Sequence, residues 1–113
     1  MADLSDMYQT YAVGINATSS GDNEVVAADS DNDIILFSYV MSYHTADLTV
    51  HWRSGTTNKD GAGFYTTQGG GASVTHNPKG WLIVPAGSAL NLNLSGSGTV
   101  GGHIRYGKRP VSR

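Results

Sequence analysis

The sequence has no cysteine, which excludes a disulfide scaffold, a thiolate zinc site and a cysteine nucleophile. It has one Glu and three Lys, too few to give a long helix a charged face. Asp, Glu, Lys and Arg make only 14% of the 113 residues, against about 25% in an average soluble domain. No apolar run approaches the roughly 18 residues of a membrane helix. The opening Met1-Ala2-Asp3-Leu4-Ser5-Asp6 lacks an apolar stretch, so no signal peptide is expected.

Gly, Ser, Thr and Asn supply 44 residues instead. The polar surface must therefore be built mostly from uncharged groups. The charges that exist are sorted along the chain. Residues 1–33 hold seven acids and no base, a charge of −7, while residues 34–113 sum to +5. Arg105, Lys108, Arg109 and Arg113 lie in the last nine residues. These are either solvated turns and a solvated tail, or two ends that contact oppositely charged neighbours in an assembly. Four bases without an aromatic platform make a small footprint for nucleic acid, so none is expected.

Alternation dominates the apolar residues. Leu48, Val50 and Trp52 alternate with Thr49, His51 and Arg53, and Leu90, Leu92 and Leu94 with Asn91, Asn93 and Ser95. A period of two marks a half-buried strand. Turn chemistry separates such segments, as in Ser19-Ser20-Gly21-Asp22-Asn23 and Val84-Pro85-Ala86-Gly87. Strands are predicted over 9–17, 23–28, 33–43, 47–54, 62–67, 72–76, 80–84, 89–95 and 99–106. The fold class is all-β, an antiparallel β-sandwich of jelly-roll type with about eight strands. Residues 1–8 are expected to form an arm, 9–106 a single domain and 107–113 a basic tail, in which Pro110 blocks continued strand pairing. The glycine-rich segment 55–80 is expected to be irregular and to sit at one end of the sandwich.

The segment 33–43 reads apolar on both sides. Ile35, Phe37, Tyr39, Met41 and Tyr43 would share one face, and Ile34, Leu36, Ser38, Val40 and Ser42 the other. A strand with one wet face should alternate with polar residues. The second face must be covered, either by the loop 55–80 or by another subunit. The first row is the candidate for self-association.

Motifs for chemistry are weak. Gly96-Ser97-Gly98-Thr99-Val100-Gly101 matches a dinucleotide fingerprint literally, but a strand follows where a helix is required. Asp29, Asp31 and Asp33 have calcium-loop spacing, but Ile34 and Val40 occupy the positions of the essential Gly and Glu. His44, His51, His76 and His103 form no H-x-H or H-E-x-x-H pair. No metal, cofactor or catalytic residue is expected. Trp52 and Trp81 continue apolar strand faces and are expected in the core. Phe64 and Tyr65 are adjacent, so one of them points outward as a ligand or partner contact.

The stretch from Gly80 to Leu94, with its Pro85-Ala86-Gly87 turn and alternating Leu/Asn strand, is followed by Gly98-Thr99-Val100-Gly101-Gly102-His103-Ile104-Arg105-Tyr106. This end resembles that of small jelly-roll decoration, or cement, proteins of tailed bacteriophages. Ile34 to Tyr43 followed by Leu48 to Ser54 resembles their paired central strands. The resemblance implies a non-enzymatic virion protein, made in the host cytoplasm and carried on the outer capsid surface. Its implied partners are the major capsid protein and itself, as a homotrimer, with neither nucleic acid nor membrane. Capsid contact is expected through Asp3, Asp6, Met7 and Tyr8 at the start and Arg105, Lys108, Arg109 and Arg113 at the end. Two other classes stay open. One is a carbohydrate- or receptor-binding module of a tail or fibre, using Phe64, Tyr65 and the glycine loop. The other is a cupin-like enzyme whose histidines would bind a metal.

Overall fold

The computed structural model describes residues 9–60 and 63–111. They form ten strands: β1 (Thr10–Ala17), β2 (Gly21–Val26), β3 (Asn32–Tyr43), β4 (Thr49–Ser54), β5 (Thr57–Asn58), β6 (Phe64–Tyr65), β7 (Gly71–Val74), β8 (Leu82–Val84), β9 (Leu90–Leu94) and β10 (Val100–Pro110). Among the described residues no helix is long and apolar enough to cross a membrane.

The strands build two antiparallel sheets. Sheet A runs β1-β10-β3, with β7 and β8 both on the far side of β3. Sheet B runs β2-β9-β4, with β5 and β6 both on the far side of β4. Successive strands from β1 to β4 switch sheets, as do β9 and β10. The result is a jelly-roll sandwich with eight strand positions. There are ten strands because the outermost position beside β3, and that beside β4, is each filled by two short pieces. Segment 55–80 supplies three of those pieces: β6 and β7 lie where strands were predicted over 62–67 and 72–76, and β5 is additional.

The core forms where the inward rows of both sheets meet. In sheet B, Leu92 sits opposite Trp52 and Leu94 opposite Val50, and all four are almost fully buried. Sheet A contributes Ile34, Leu36, Met41, Val100 and Ile104 to the same cluster. Burying one such side chain contributes roughly 1.5–3 kcal/mol, so the Leu/Asn alternation of β9 fixes which face is inside.

Strand β3 corrects the expected self-association row. Arg105 of β10 pairs with Ser38, but the next residue, Tyr106, pairs with Leu36. Phe37 is the extra residue of a bulge, and the alternation changes phase there. Ile34 and Leu36 point into the core before the bulge, and Tyr39, Met41 and Tyr43 do so after it. Ile35 and Phe37 face the opposite way yet are fully buried. They are covered by segment 75–81, where Asn77 N–H donates to the Phe37 carbonyl and Trp81 N–H to that of Leu36. The His76 ring lies 5.5 Å from that of Phe37. Gly80, at φ 88°, closes over Ile35, where a Cβ would come within 2.6 Å of its Cγ2. All five residues of the proposed row are thus buried within one protomer, and the loop is the cover of the outward pair.

Two further expectations change. Trp52 is core as expected, but Trp81 is 48% exposed, its indole N–H donating to the Thr75 carbonyl at 2.8 Å. The last strand does not stop at Tyr106. It pairs with β3 as far as Pro110 opposite Asn32, so most of the expected tail is sheet. Proline is tolerated there because, among the described residues, β1 flanks β10 only as far as Gly107, so Pro110 lies where β10 has become an edge.

Candidate interaction surface

The two ends of the chain meet in sheet A, because β10 lies between β1 and β3. This pairs the sorted charges with each other. Lys108 Nζ is 2.9 Å from Asp29 Oδ2, and an Arg109 Nη is 2.8 Å from Asp33 Oδ2. Asp29 also accepts from Asp31 N–H and the Asn32 amide, and Asp33 from Ala86 N–H. The Lys108 hydrogen bond, helped by those to Asp31 and Asn32, holds the Asp29 carboxyl at about 2, against 3.8 ordinarily. Arg109 likewise lowers Asp33, and Asp29 raises Lys108. Two of the three acids with calcium-loop spacing, Asp29 and Asp33, therefore face cations of the same chain. Lys108 and Arg109, expected to reach a capsid, are engaged in tying β10 to the start of β3.

Arg105 differs from both. It lies exposed on the outer face of sheet A, opposite Ala12 on one side and Ser38 on the other. Next to it on the same face is exposed His103, opposite Gly14 and Val40. Val40 is 41% exposed, and Ser73 of β7 extends the row across the sheet. This face is four strands wide and consists mostly of small uncharged side chains around a central His103–Arg105 pair. Small side chains lose little rotamer freedom when covered, and few charges must be desolvated. Asp3, Asp6, Met7, Tyr8 and Arg113 lie outside the described residues.

The outer face of sheet B has the opposite character. Phe64 pairs with Val50 and turns inward, its ring edge-on to Tyr39 at 6.4 Å. Tyr65 pairs with Thr49 and turns outward, 66% exposed. Its hydroxyl donates to Asp47 Oδ1 at 2.7 Å, and this bond raises the phenol pKa. Asp47 holds a left-handed backbone, φ 64°, a conformation that short polar residues tolerate. Beyond Tyr65 lie Arg53, Asp22, Asn93 and Asn58, joined by hydrogen bonds of 2.7–3.3 Å.

One residue in this region carries no sequence signal. The outermost position of sheet B has a gap between β5 and β6, opposite Trp52 of β4. Asp60 fills it: Oδ2 accepts from Trp52 N–H at 2.7 Å and Oδ1 lies 2.8 Å from His51 Nδ1. Lys59 N–H donates to the Trp52 carbonyl at 2.9 Å. A side chain thus replaces a missing strand residue. Among the described residues no three His, Asp or Glu side chains converge as metal ligands would.

No family model matches the chain, and neither a curated protein nor a solved structure matches it.

Proposed function

We propose that this chain is a non-enzymatic virion protein that lies on an assembled capsid and cross-links neighbouring capsid subunits through the outer face of sheet A. The observation that carries the reading is that face itself: broad, built of small uncharged side chains, with Arg105 and His103 at its centre. The resemblance of the C-terminal half to phage decoration proteins supplies the class of partner. A protein that binds only the assembled shell stabilises it in proportion to occupancy. Among the described bases of the expected contact set, Arg105 is the one that is exposed, so it takes the contact role assigned to Lys108 and Arg109. A homotrimer would have to form through a surface other than the buried row of β3. The test is cosedimentation with shells assembled from the accompanying major capsid protein. Arg105→Glu is expected to weaken binding about tenfold, roughly 1.4 kcal/mol, without lowering the melting temperature. Undiminished binding by this variant would remove the face from the mechanism.

A second reading, attachment to a glycan or receptor, is favoured by Tyr65. Its ring is exposed, yet its hydroxyl is fixed by Asp47, so stacking a sugar face would cost little further ordering. Tyr65→Ala is expected to abolish signal on a glycan array if this reading holds. An array without hits for the unaltered protein would end it.

A further inference from the structure

A sheet edge exposes unpaired N–H and C=O groups, and proteins protect such edges by charge, proline, bulges or shortness. Three of the four edges here carry such protection among the described residues. Strand β2 has Asp22 and Glu24 and a bulge between Glu24 and Val26. The edge beside β3 is broken into β7, of four residues, and β8, of three. The edge beside β4 is broken into β5 and β6, of two residues each.

Strand β1 has none of this protection. It is eight residues long, Thr10-Tyr11-Ala12-Val13-Gly14-Ile15-Asn16-Ala17, without charge or proline. Its register with β10 is unbroken from Thr10 to Ala17. No described residue pairs with its other side. Tyr11, stacked on Tyr106 at 5.3 Å, is still 37% exposed at this edge.

The strand is also self-complementary. Reversed about Val13, the residues from Thr10 to Asn16 meet their own kind, while Ala17 falls opposite Gln9. Tyr11 falls opposite Ile15, apolar against apolar on the core side. Ala12 falls opposite Gly14, small against small on the outer side, and Thr10 opposite Asn16, polar against polar. An antiparallel pair with this register keeps facing residues on one side of the sheet. A two-fold axis requires that kind of match between a patch and itself.

We propose that β1 is a self-pairing edge: two copies of the chain join antiparallel through β1 about a two-fold axis at Val13. The two A sheets become one, and the exposed Tyr11 ring is covered by Ile15 of the second copy. The outer faces of the A sheets then form one continuous surface of double width. The pairing stands whether or not the chain binds a shell.

Light scattering with size exclusion tests it. The unaltered protein is expected at twice the protomer mass at micromolar concentration. The double variant Ala12→Lys with Gly14→Lys places like charges opposite each other across the axis, which disfavours pairing. Both positions are exposed, and a Cβ on Gly14 meets nothing nearer than the Gly102 carbonyl at 3.8 Å. This variant is expected at the protomer mass with a cooperative melt. Mixing it with Ala12→Glu plus Gly14→Glu is expected to restore the doubled mass. Hydrogen exchange provides a check without substitutions: amide protection in β1 should rise with concentration while that in β9 stays constant. A protomer or tripled mass for the unaltered protein, a lysine variant still doubled, or β1 protection independent of concentration would each overturn the proposal.

Discussion

At the scale of single residues, position in the sheet decides more than residue type. Asp60 would read from sequence as one more acid in a polar loop, yet its carboxylate serves the backbone of β4 at Trp52. Asp60→Ala would leave the Trp52 N–H without its partner, at a cost of about 1–3 kcal/mol. Urea denaturation should show a lower midpoint with an unchanged slope, and an unchanged midpoint would deny Asp60 this role. That one of Phe64 and Tyr65 points outward followed from their adjacency, but not that it is Tyr65. Trp81 did not follow in the same way. Alternation shows which residues share a face, and Ile83, two residues on, does pair with outward-facing Ile35. It does not show which face is wet. The burial of Phe37 depends similarly on Gly107, where a Cβ would come within 2.8 Å of the Phe37 ring. No local pattern announces a contact seventy residues away in sequence.

At the scale of elements, the places of most strands were legible, the short β6, β7 and β8 included, but β5 and the bulge of β3 were not. Strands β4 and β9 alternate cleanly because one face is core and the other polar. In β3 both faces are apolar, so a bulge leaves no trace in the hydrophobic pattern, and five residues were assigned to one row that the fold divides between two. The extension of β10 to Pro110 was also hidden, because Lys108 and Arg109 read as a solvated tail unless their partners are known. Those partners give a pH dependence. Asp29 titrates at about 2 when folded, below its ordinary 3.8. Its contribution to stability is whole above the ordinary value and is lost as pH falls through about 2. Melting temperature should therefore fall between pH 4 and pH 2 more steeply in the unaltered protein than in Lys108→Met. Identical slopes would show that the tie contributes nothing. Added salt should reduce the difference, because both side chains are partly exposed.

At the scale of the whole molecule, low charge and sorted charge have a common result. Among the described residues, Asp29 and Asp33 of the acidic first third pair with Lys108 and Arg109 of the basic end, so part of the charge asymmetry is neutralised inside the protomer. What remains outside is one broad face of small side chains and one unprotected edge, both on sheet A, with the polar network on sheet B behind them. The jelly-roll class was readable because strand length, spacing and turn residues all agree on it. The proposed interaction surface was not, since it is assembled from β1, β10, β3 and β7, whose neighbours are distant in sequence. The most direct measurement is sedimentation of the unaltered protein with assembled capsid shells and, separately, with unassembled capsid subunits. The protein should pellet with the shells at saturable occupancy, raise their melting temperature and bind the free subunits far less. Protein that stays in the supernatant with shells at low ionic strength would contradict a role on the capsid.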